Sequence, residues 1–292
     1  MFDIKNIIEP TTIAELIKIK DTLNSAILIA GGTDVLIKLR HGSLKNVDLI
    51  SLRNIKELRG IRLLDDKSIS IGAMTTFSEL FRSEIINMYI PILAEAAVSM
   101  GGPQIRNMAT IGGNVCNGAV SADSAPTLFA LNANLKLESV NGMRIIPITE
   151  FYDGPGRVKI NKNEVLTEII IKQEDYFNKK GHYIKFANRK AMDISMLGVA
   201  VLCEVDNSKF TDIRIALGVA APTPVRCQEA EKFAINKEVT KDIIKEIGLL
   251  AVKSSKARDS WRGSKEFREH LINNLTQRAI EKSYKELGGL AE

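Results

Sequence analysis

The sequence predicts an α+β protein, because its hydrophobic periodicity changes twice along the 292 residues. Helical and strand patterns alternate over residues 1–50, which predicts a small βαβ unit with parallel strands. From residue 60 apolar side chains recur at every second position, a pattern typical of antiparallel hairpins. From about residue 177 a further hairpin is followed by two helices.

The βαβ unit opens with a helix. Thr12 and Glu15 fit a capping box at its start, ahead of the apolar positions Leu16, Ile17, Ile19 and Leu23. The apolar run at residues 26–30 predicts a buried strand that ends at Gly31-Gly32. Thr33 and Asp34 then predict the start of a second helix, and residues 47–50 predict the next strand.

The middle region reads as two hairpins separated by two helices. The first hairpin pairs Ile61 and Leu63 with Ile69 and Ile71, and the second turns at Asn141-Gly142, a pair that favours tight turns. One helix begins at the capping box of Thr76 and Glu79. The other begins at Pro91, because the first turn of a helix does not need the missing N–H of proline.

The third region predicts a hairpin that turns at residues 206–209. Apolar positions alternate over residues 199–205 and 213–217 on either side of that turn. Apolar residues then recur at helical spacing in two stretches, around Ile247 and around Leu271.

Composition excludes several classes of protein. No apolar run approaches the roughly 20 residues of a membrane-spanning helix, and the N-terminus lacks the order of charges found in signal peptides. The 3 cysteines are far apart and odd in number, which predicts reduced thiols and a cytoplasmic protein. The net charge of +5 includes a basic stretch around Arg262 without a nucleic-acid-binding module, so we expect no nucleic-acid partner. That stretch is either a solvated face or a contact with an acidic partner chain.

The common motifs of metal, hydrolase and nucleotide sites are missing. The sequence contains no HExxH, CxxC, GxSxG or GxxxxGK[ST] pattern, and Gly154-Pro-Gly156 reads as a turn rather than a dinucleotide-binding loop. We therefore predict no metal site and assign no catalytic residue.

Two glycine pairs remain. Gly31-Gly32 follows a predicted strand, and Gly112-Gly113 lies between Thr110 and Asn114. Either pair alone is an ordinary tight turn in most proteins. Two such turns with free backbone N–H groups have the right chemistry to hold the two phosphates of a dinucleotide, and Asp123 could accept hydrogen bonds from ribose.

Five segments make the sequence recognisable: AGGTDVLIKLR, IGAMTTFSEL, GGPQIRNMATIGGNVCNGAVSADSAPTLFALNANL, FANRKAMDIS and LGVAAPTPVRC. Together they strongly resemble the FAD-binding subunits of the molybdenum hydroxylases, over residues 2–288, and most of all those of bacterial xanthine dehydrogenases. The resemblance implies a two-subdomain FAD-binding domain of the vanillyl-alcohol oxidase (PCMH) type at residues 1–176, with subdomains of about 1–57 and 58–176. A smaller C-terminal α+β domain of the CO dehydrogenase flavoprotein type would occupy residues 177–292.

The resemblance also implies roles for individual residues. Residues 27–34 would surround the FAD pyrophosphate, and residues 109–114 would form a second wall. Asp123 would bind the adenosine side, Leu166 would pack on FAD, and Lys185 would lie beside the flavin. The predicted cofactor-binding residues are Ile27, Leu28, Ile29, Ala30, Gly31, Gly32, Thr33, Asp34, Ala109, Thr110, Ile111, Gly112, Gly113, Asn114, Asp123, Leu166 and Lys185. Cys116 could lie near the flavin, but a small buried thiol is the simpler interpretation.

The function implied is electron transfer within a heteromeric xanthine dehydrogenase. An iron–sulfur subunit with 2Fe-2S clusters would pass electrons to FAD in this chain, which would reduce NAD⁺, and a molybdopterin-binding subunit would hydroxylate the substrate. Related complexes oxidise carbon monoxide, nicotinate, quinoline or aldehydes, so the substrate stays open. Two other readings also stay open, a free-standing FAD oxidase and a non-flavin interaction module in which both glycine pairs are only turns.

Overall fold

The N-terminal region is a three-stranded parallel sheet with two short helices. The computed structural model describes residues 2–289. The elements of this region are β1 (Ile4–Ile8), α1 (Ile13–Thr22), β2 (Ile27–Ile29), α2 (Val35–Arg40) and β3 (Val47–Ser51). The strands pair in the order β1-β3-β2, which confirms the predicted parallel unit. The sequence analysis missed β1, because most of its side chains are exposed and carry no alternating pattern.

Helix α1 begins where the sequence predicts, although its cap differs in detail. The Thr12 side chain accepts a hydrogen bond from the Glu15 amide at 3.1 Å, as an N-cap residue should. The Glu15 carboxylate, however, accepts from the amide of Thr11 at 2.8 Å rather than from that of Thr12. The capping box is therefore displaced by one residue.

The middle region contains a five-stranded antiparallel sheet in the order β4-β5-β10-β6-β7. Its elements are β4 (Ile61–Leu63), β5 (Ile69–Gly72), α3 (Phe77–Arg82), α4 (Glu84–Tyr89), α5 (Pro91–Ser99), α6 (Pro103–Met108), α7 (Ile111–Cys116), α8 (Ser124–Ala130), β6 (Asn134–Ser139), β7 (Gly142–Pro147), α9 (Ile148–Phe151), β8 (Tyr152–Gly154), β9 (Arg157–Val158) and β10 (Val165–Ile171). Both predicted hairpins form, and the capping box of Thr76 and Glu79 begins α3. Helices α4, α6, α7, α8 and α9 and strands β8, β9 and β10 were not predicted.

The C-terminal region has a four-stranded antiparallel sheet in the order β11-β12-β13-β14. Its elements are β11 (Lys180–Phe186), β12 (Leu197–Asp206), β13 (Lys209–Gly218), β14 (Val225–Arg226), α10 (Gln228–Ala234), α11 (Lys241–Lys253) and α12 (Lys265–Glu286). The hairpin at residues 206–209 and helices α11 and α12 agree with the sequence analysis. The proposed domain boundary at 176/177 falls between β10 and β11 and stays a prediction.

The C-terminal sheet is covered on both faces. Tyr183, Ala200 and Ala216 belong to the large core formed by the five-stranded sheet and helices α3, α5 and α8. Val199 and Ile215, their neighbours in sequence, belong to a second core with α11 and α12. Because side chains alternate between the faces of a strand, one sheet separates the two cores. None of the helices within residues 2–289 has both the length and the apolar content that crossing a bilayer requires.

Candidate cofactor site

A cavity of about 650 Å³ lies between the N-terminal sheet and the middle region. Three chain segments form most of its walls: the end of β2 with the residues that follow, the start of α7, and the segment that leads into β10. Of the predicted cofactor-binding residues, those that line the cavity are Ile27, Leu28, Ala30, Gly31, Gly32, Thr33, Asp34, Ala109, Thr110, Gly112, Gly113, Asn114 and Leu166. The fold therefore brings together two segments that are far apart in the sequence.

The first glycine segment, residues 27–34, presents free backbone donors. Gly32 has φ +75°, a left-handed conformation that glycine adopts without strain. Within residues 2–289, the amides of Gly31, Gly32, Thr33 and Asp34 donate no hydrogen bond to another protein group. Consecutive free N–H groups at a turn bind anions. This segment has the chemistry predicted for a pyrophosphate site.

The second glycine segment, residues 109–114, differs from the prediction. Gly112 and Gly113 lie in the first turn of α7, and Thr110 caps that helix. The amide of Ile111 donates to the Thr75 carbonyl at 2.9 Å and that of Gly112 to the Ala73 carbonyl at 2.9 Å. The Gly113 amide donates to Thr110 Oγ1 at 3.1 Å. The expectation that both glycine pairs offer free N–H groups is wrong for this pair, because the fold itself uses these donors.

The glycines of the two segments allow backbones to approach closely. A Cβ on Gly31 would lie 1.8 Å from the carbonyl oxygen of Met108, directly before the second segment. A Cβ on Gly112 would lie 2.6 Å from Ala73. The two walls of the cavity are thus in direct backbone contact at Gly31.

Charged side chains at the cavity are mostly cationic. Lys20, Lys38 and Lys162 line it, together with the carboxylates of Asp34 and Glu164. Glu164 is already paired with Arg144 of β7 at 2.7 Å. The remaining balance of charge favours a bound anion.

Lys20 is a cavity residue that the sequence analysis missed. Its ammonium group donates to the carbonyls of Asn24 at 2.9 Å and Ala26 at 2.6 Å, and burial lowers its pKa. One of its three N–H donors stays available beside the cavity. The available signal was its spacing, since Lys20 lies one helical turn after the fully buried Leu16, on the same face of α1.

Asp123 and Lys185 do not line the cavity but pair with each other. Lys185 Nζ lies 2.8 Å from Asp123 Oδ2, and Tyr183 Oη lies 3.3 Å from Asp123 Oδ1. Burial raises the pKa of Asp123, while the charge of Lys185 opposes that shift. The pair lies behind the cavity wall, because Ser124 donates to the side chain of Asn114 at 2.7 Å.

The family resemblance placed Asp123 on the adenosine side and Lys185 beside the flavin. Their ion pair instead puts both residues at one location, so their roles toward a cofactor stay predictions. Ile29 and Ile111 are also absent from the cavity walls, and Ile111 is fully buried in the core.

Cys116 lines the cavity as an unreactive thiol. Burial raises its pKa to about 12, so the group is protonated at neutral pH. The described residues contain Cys116, Cys203 and Cys227 as free thiols. Between residues 2 and 289, no group of three His, Cys, Asp or Glu side chains is placed to hold a metal ion.

Two known protein families account for nearly the whole chain. Residues 2–172 match the family described as the FAD binding domain in molybdopterin dehydrogenase. Residues 182–283 match the CO dehydrogenase flavoprotein C-terminal domain.

Individual relatives are similar over most of their length. The chain is 42% identical over 289 residues to the xanthine dehydrogenase FAD-binding subunit of Escherichia coli O157:H7, with 99% of each chain covered. It is 34% identical over 217 residues to the nicotinate dehydrogenase FAD-subunit of Eubacterium barkeri, covering 73% of each. A chain of carbon monoxide dehydrogenase from Hydrogenophaga pseudoflava superposes with a TM-score of 0.92 at 29% identity, covering 98% of this chain and 99% of that one.

Proposed function

The chain belongs to the FAD-binding family of the molybdopterin dehydrogenases, and from this membership we propose that it is the electron-transfer subunit of a heteromeric xanthine dehydrogenase. It is an oxidoreductase flavoprotein subunit with an α+β fold. The observation that carries the proposal is the cavity whose wall offers the free amides of residues 31–34. The full-length similarity to a xanthine dehydrogenase subunit supports the choice of substrate.

The residues of the cavity fit FAD. The four free amides suit a pyrophosphate, and Lys20, Lys38 and Lys162 add positive charge around them. Leu28, Leu52 and Leu166 supply apolar wall for the rest of the cofactor. When bound, the flavin supplies the transfer of one or two electrons, and the protein binds, orients and electrostatically tunes it.

The proposal assigns the remaining chemistry to partner chains. An iron–sulfur subunit would hold the 2Fe-2S clusters that deliver electrons, and a molybdopterin-binding subunit would hold the site that oxidises the substrate. NAD⁺ would be the final acceptor. Under this proposal the metal centres belong to the partner subunits, and the present chain needs only a cavity that binds the anionic cofactor.

A second candidate keeps the cofactor and changes the substrate. The similarity to the nicotinate dehydrogenase FAD-subunit and to the carbon monoxide dehydrogenase structure favours the FAD subunit of a related molybdenum hydroxylase. The two candidates differ only in the molybdopterin-binding subunit that accompanies this chain.

The first test identifies the cofactor. The purified chain is examined by visible spectroscopy, and the chromophore released on denaturation is identified by chromatography. We expect one FAD per chain, either as purified or after addition of FAD with the partner subunits. Released FMN would contradict the pyrophosphate assignment, and a chain that binds no flavin under any of these conditions would contradict the proposal.

The second test identifies the reaction. The chain is co-produced with its two partner subunits, and xanthine, nicotinate and carbon monoxide are compared as reductants of the bound flavin, with and without NAD⁺. We expect xanthine to bleach the flavin and NAD⁺ to restore its colour, while the isolated chain oxidises no xanthine. Bleaching by nicotinate or carbon monoxide instead would select the second candidate.

A further inference from the structure

Three arginines lie close together near the start of α12 without a carboxylate partner. Arg258 and Arg262 belong to the segment that joins α11 to α12, and Arg268 lies in the second turn of α12. Within the described part of the chain, none of the three forms a salt bridge. Burial, and next the charges of Arg258 and Arg262, lower the pKa of Arg268. Asp259, the one carboxylate in this segment, accepts from the amide of Lys265 at 2.8 Å, and the three arginines leave the cluster with a net positive charge.

Arg268 is held rigidly yet keeps one donor free. Its side chain is almost fully buried, with Nη1 donating to the Met196 carbonyl at 2.6 Å and Nη2 donating to Ser260 Oγ at 2.7 Å. Its Nε has no acceptor among residues 2–289. Arg268 is therefore an internal anchor that holds the segment before α12 against residue 196, and Arg258 and Arg262 are the members of the cluster that can meet a partner.

Large apolar side chains surround these arginines. Trp261, the one tryptophan of the sequence, is 81% exposed. The Arg262 guanidinium lies 4.1 Å from the centre of the Trp261 ring and covers one of its faces. Phe267 is partly exposed and packs edge-on against Phe186, at the end of β11. Beyond β11, Met192 and Ile194 are each more than half exposed.

This surface borders the cofactor cavity. Met192 packs against Gly102, where a Cβ would lie 3.2 Å from the Met192 side chain. Gly102 directly precedes α6, and Ile105 of that helix lines the cavity. The loop that carries Met192 and Ile194 begins after Phe186, which packs on Phe267, and ends at Met196, whose carbonyl accepts from Arg268. The name arginine–tryptophan surface is used here for Arg258, Trp261 and Arg262 before α12 together with Met192 and Ile194 of this adjoining loop, and its Met192 end lies beside the cavity.

We propose that the arginine–tryptophan surface is the docking site for a protein chain that presents carboxylates around an apolar edge. This inference rests on the proposed function, under which that chain is the iron–sulfur subunit. Arginines without a carboxylate partner in their own chain are complementary to carboxylates of another chain, and Arg, Trp and Met are enriched at protein interfaces. The location beside the cavity also suits the iron–sulfur subunit, because the electron donor must lie next to the flavin.

The test compares variants of the whole complex. This chain carries an affinity tag and is co-produced with both partner subunits, and its FAD content and bound iron–sulfur subunit are measured at several salt concentrations. We expect Arg258→Glu/Arg262→Glu and Trp261→Ala to bind the iron–sulfur subunit at least about tenfold more weakly while FAD content is unchanged. The Arg258→Gln/Arg262→Gln variant removes the charges without reversing them and so controls for misfolding. It should weaken binding of the iron–sulfur subunit by a smaller factor.

The matched control reverses two charges elsewhere. Lys241 and Lys245 on α11 are exposed and form no salt bridge with a described residue, so Lys241→Glu/Lys245→Glu should leave the complex intact. Wild-type retention of the iron–sulfur subunit by the surface variants would overturn the docking site and leave the proposed function standing. A higher KM for NAD⁺ in an intact complex would also overturn it, because the surface would then bind a nucleotide. If the wild-type chain itself binds neither FAD nor partners, the proposed function fails.

Discussion

Gly31 and Gly32 are neighbours in the chain, but each must be glycine for a different reason. Gly32 has φ +75°, which side chains with a Cβ rarely adopt. Gly31 is required by packing, because a Cβ would lie 1.8 Å from the Met108 carbonyl oxygen. The two cavity walls approach most closely at Gly31, so the shape of the proposed FAD site depends on one missing methyl group.

We expect the Gly31→Ala variant to bind much less FAD than the wild-type chain, because the added methyl group must push the two cavity walls apart. The Gly113→Ala variant should lose less FAD, because its Cβ would be too close only to Thr110 Oγ1, at 2.9 Å, and would lie at an ordinary contact distance of 3.6 Å from Ala30. The cost resembles that of a disturbed helix cap, about 1 kcal/mol. The measurement is FAD released per purified chain, with circular dichroism to confirm folding. Equal FAD contents for the two variants would contradict this account of Gly31.

The glycine pairs predicted two of the three segments that form most of the cavity wall, but not how the second segment is held. Residues 27–34 and 109–114 could be recognised from their glycine pairs, but the amides of Ile111 and Gly112 are used by carbonyls of residues 75 and 73. Helices α3 to α6 lie in the chain between these carbonyls and the amides that donate to them, so no local sequence pattern indicates the hydrogen bonds. The ion pair of Asp123 with Lys185 joins two regions in the same way.

At the scale of elements, one arginine fixes the segment that leads into β10. Arg144 of β7 donates two hydrogen bonds to the Glu164 carboxylate, at 2.7 and 2.9 Å, and a third to the Lys159 carbonyl at 2.9 Å. Glu164 also accepts from the amide of Asn161 at 2.7 Å. Residues 160–162 line the cavity, so this arrangement stabilises one of its walls.

Glu164→Gln should therefore lower the free energy of unfolding in a pH-dependent way. The Arg144 hydrogen bonds lower the pKa of Glu164 in the folded protein, so their contribution is complete above the unfolded value of about 4.3 and is lost as pH falls through the folded pKa. We expect a loss of about 2 kcal/mol at pH 7 that vanishes in strong acid. Urea unfolding between pH 3 and 7 measures it.

The exposed Glu150, which has no hydrogen-bond partner among the described residues, provides the control. Glu150→Gln should change stability by less than about 0.5 kcal/mol across the same range. A Glu164→Gln effect that stays constant with pH would show that the charge of this carboxylate is not what stabilises the segment.

Elements with strong local signals were predictable and short ones were not. The hairpin at Asn141-Gly142 and the capped helix α3 formed as expected, since turn residues and caps act within a few positions. Helices α6 and α7 have 6 residues each, too few to show a hydrophobic period. Helices this short depend on tertiary contacts rather than on their own propensity.

At the scale of the molecule, two arginines of the C-terminal sheet reach across to the middle region. Arg226 donates to the carbonyl of Phe129 at 3.1 Å and to the side chain of Asn132 at 2.7 Å. Arg214 donates to the Asp175 carboxylate at 2.9 Å, and both partners are buried. These contacts attach the C-terminal sheet at the end of α8, which begins next to Asp123 behind the cavity wall.

We expect Arg214→Ala to lower the free energy of unfolding by about 3–5 kcal/mol, because it leaves the buried Asp175 carboxylate without its counter-charge. Urea unfolding followed by circular dichroism measures the loss. Arg278→Ala is the control, since Arg278 is exposed and has no hydrogen-bond or ion-pair partner among the described residues, and it should cost less than about 0.5 kcal/mol. The double variant Arg214→Ala/Asp175→Ala should lose less free energy of unfolding than the sum of the two single losses, because Asp175→Ala removes the carboxylate that Arg214→Ala leaves unpaired. Strictly additive losses would show that the two side chains do not interact and that apolar burial alone joins the regions.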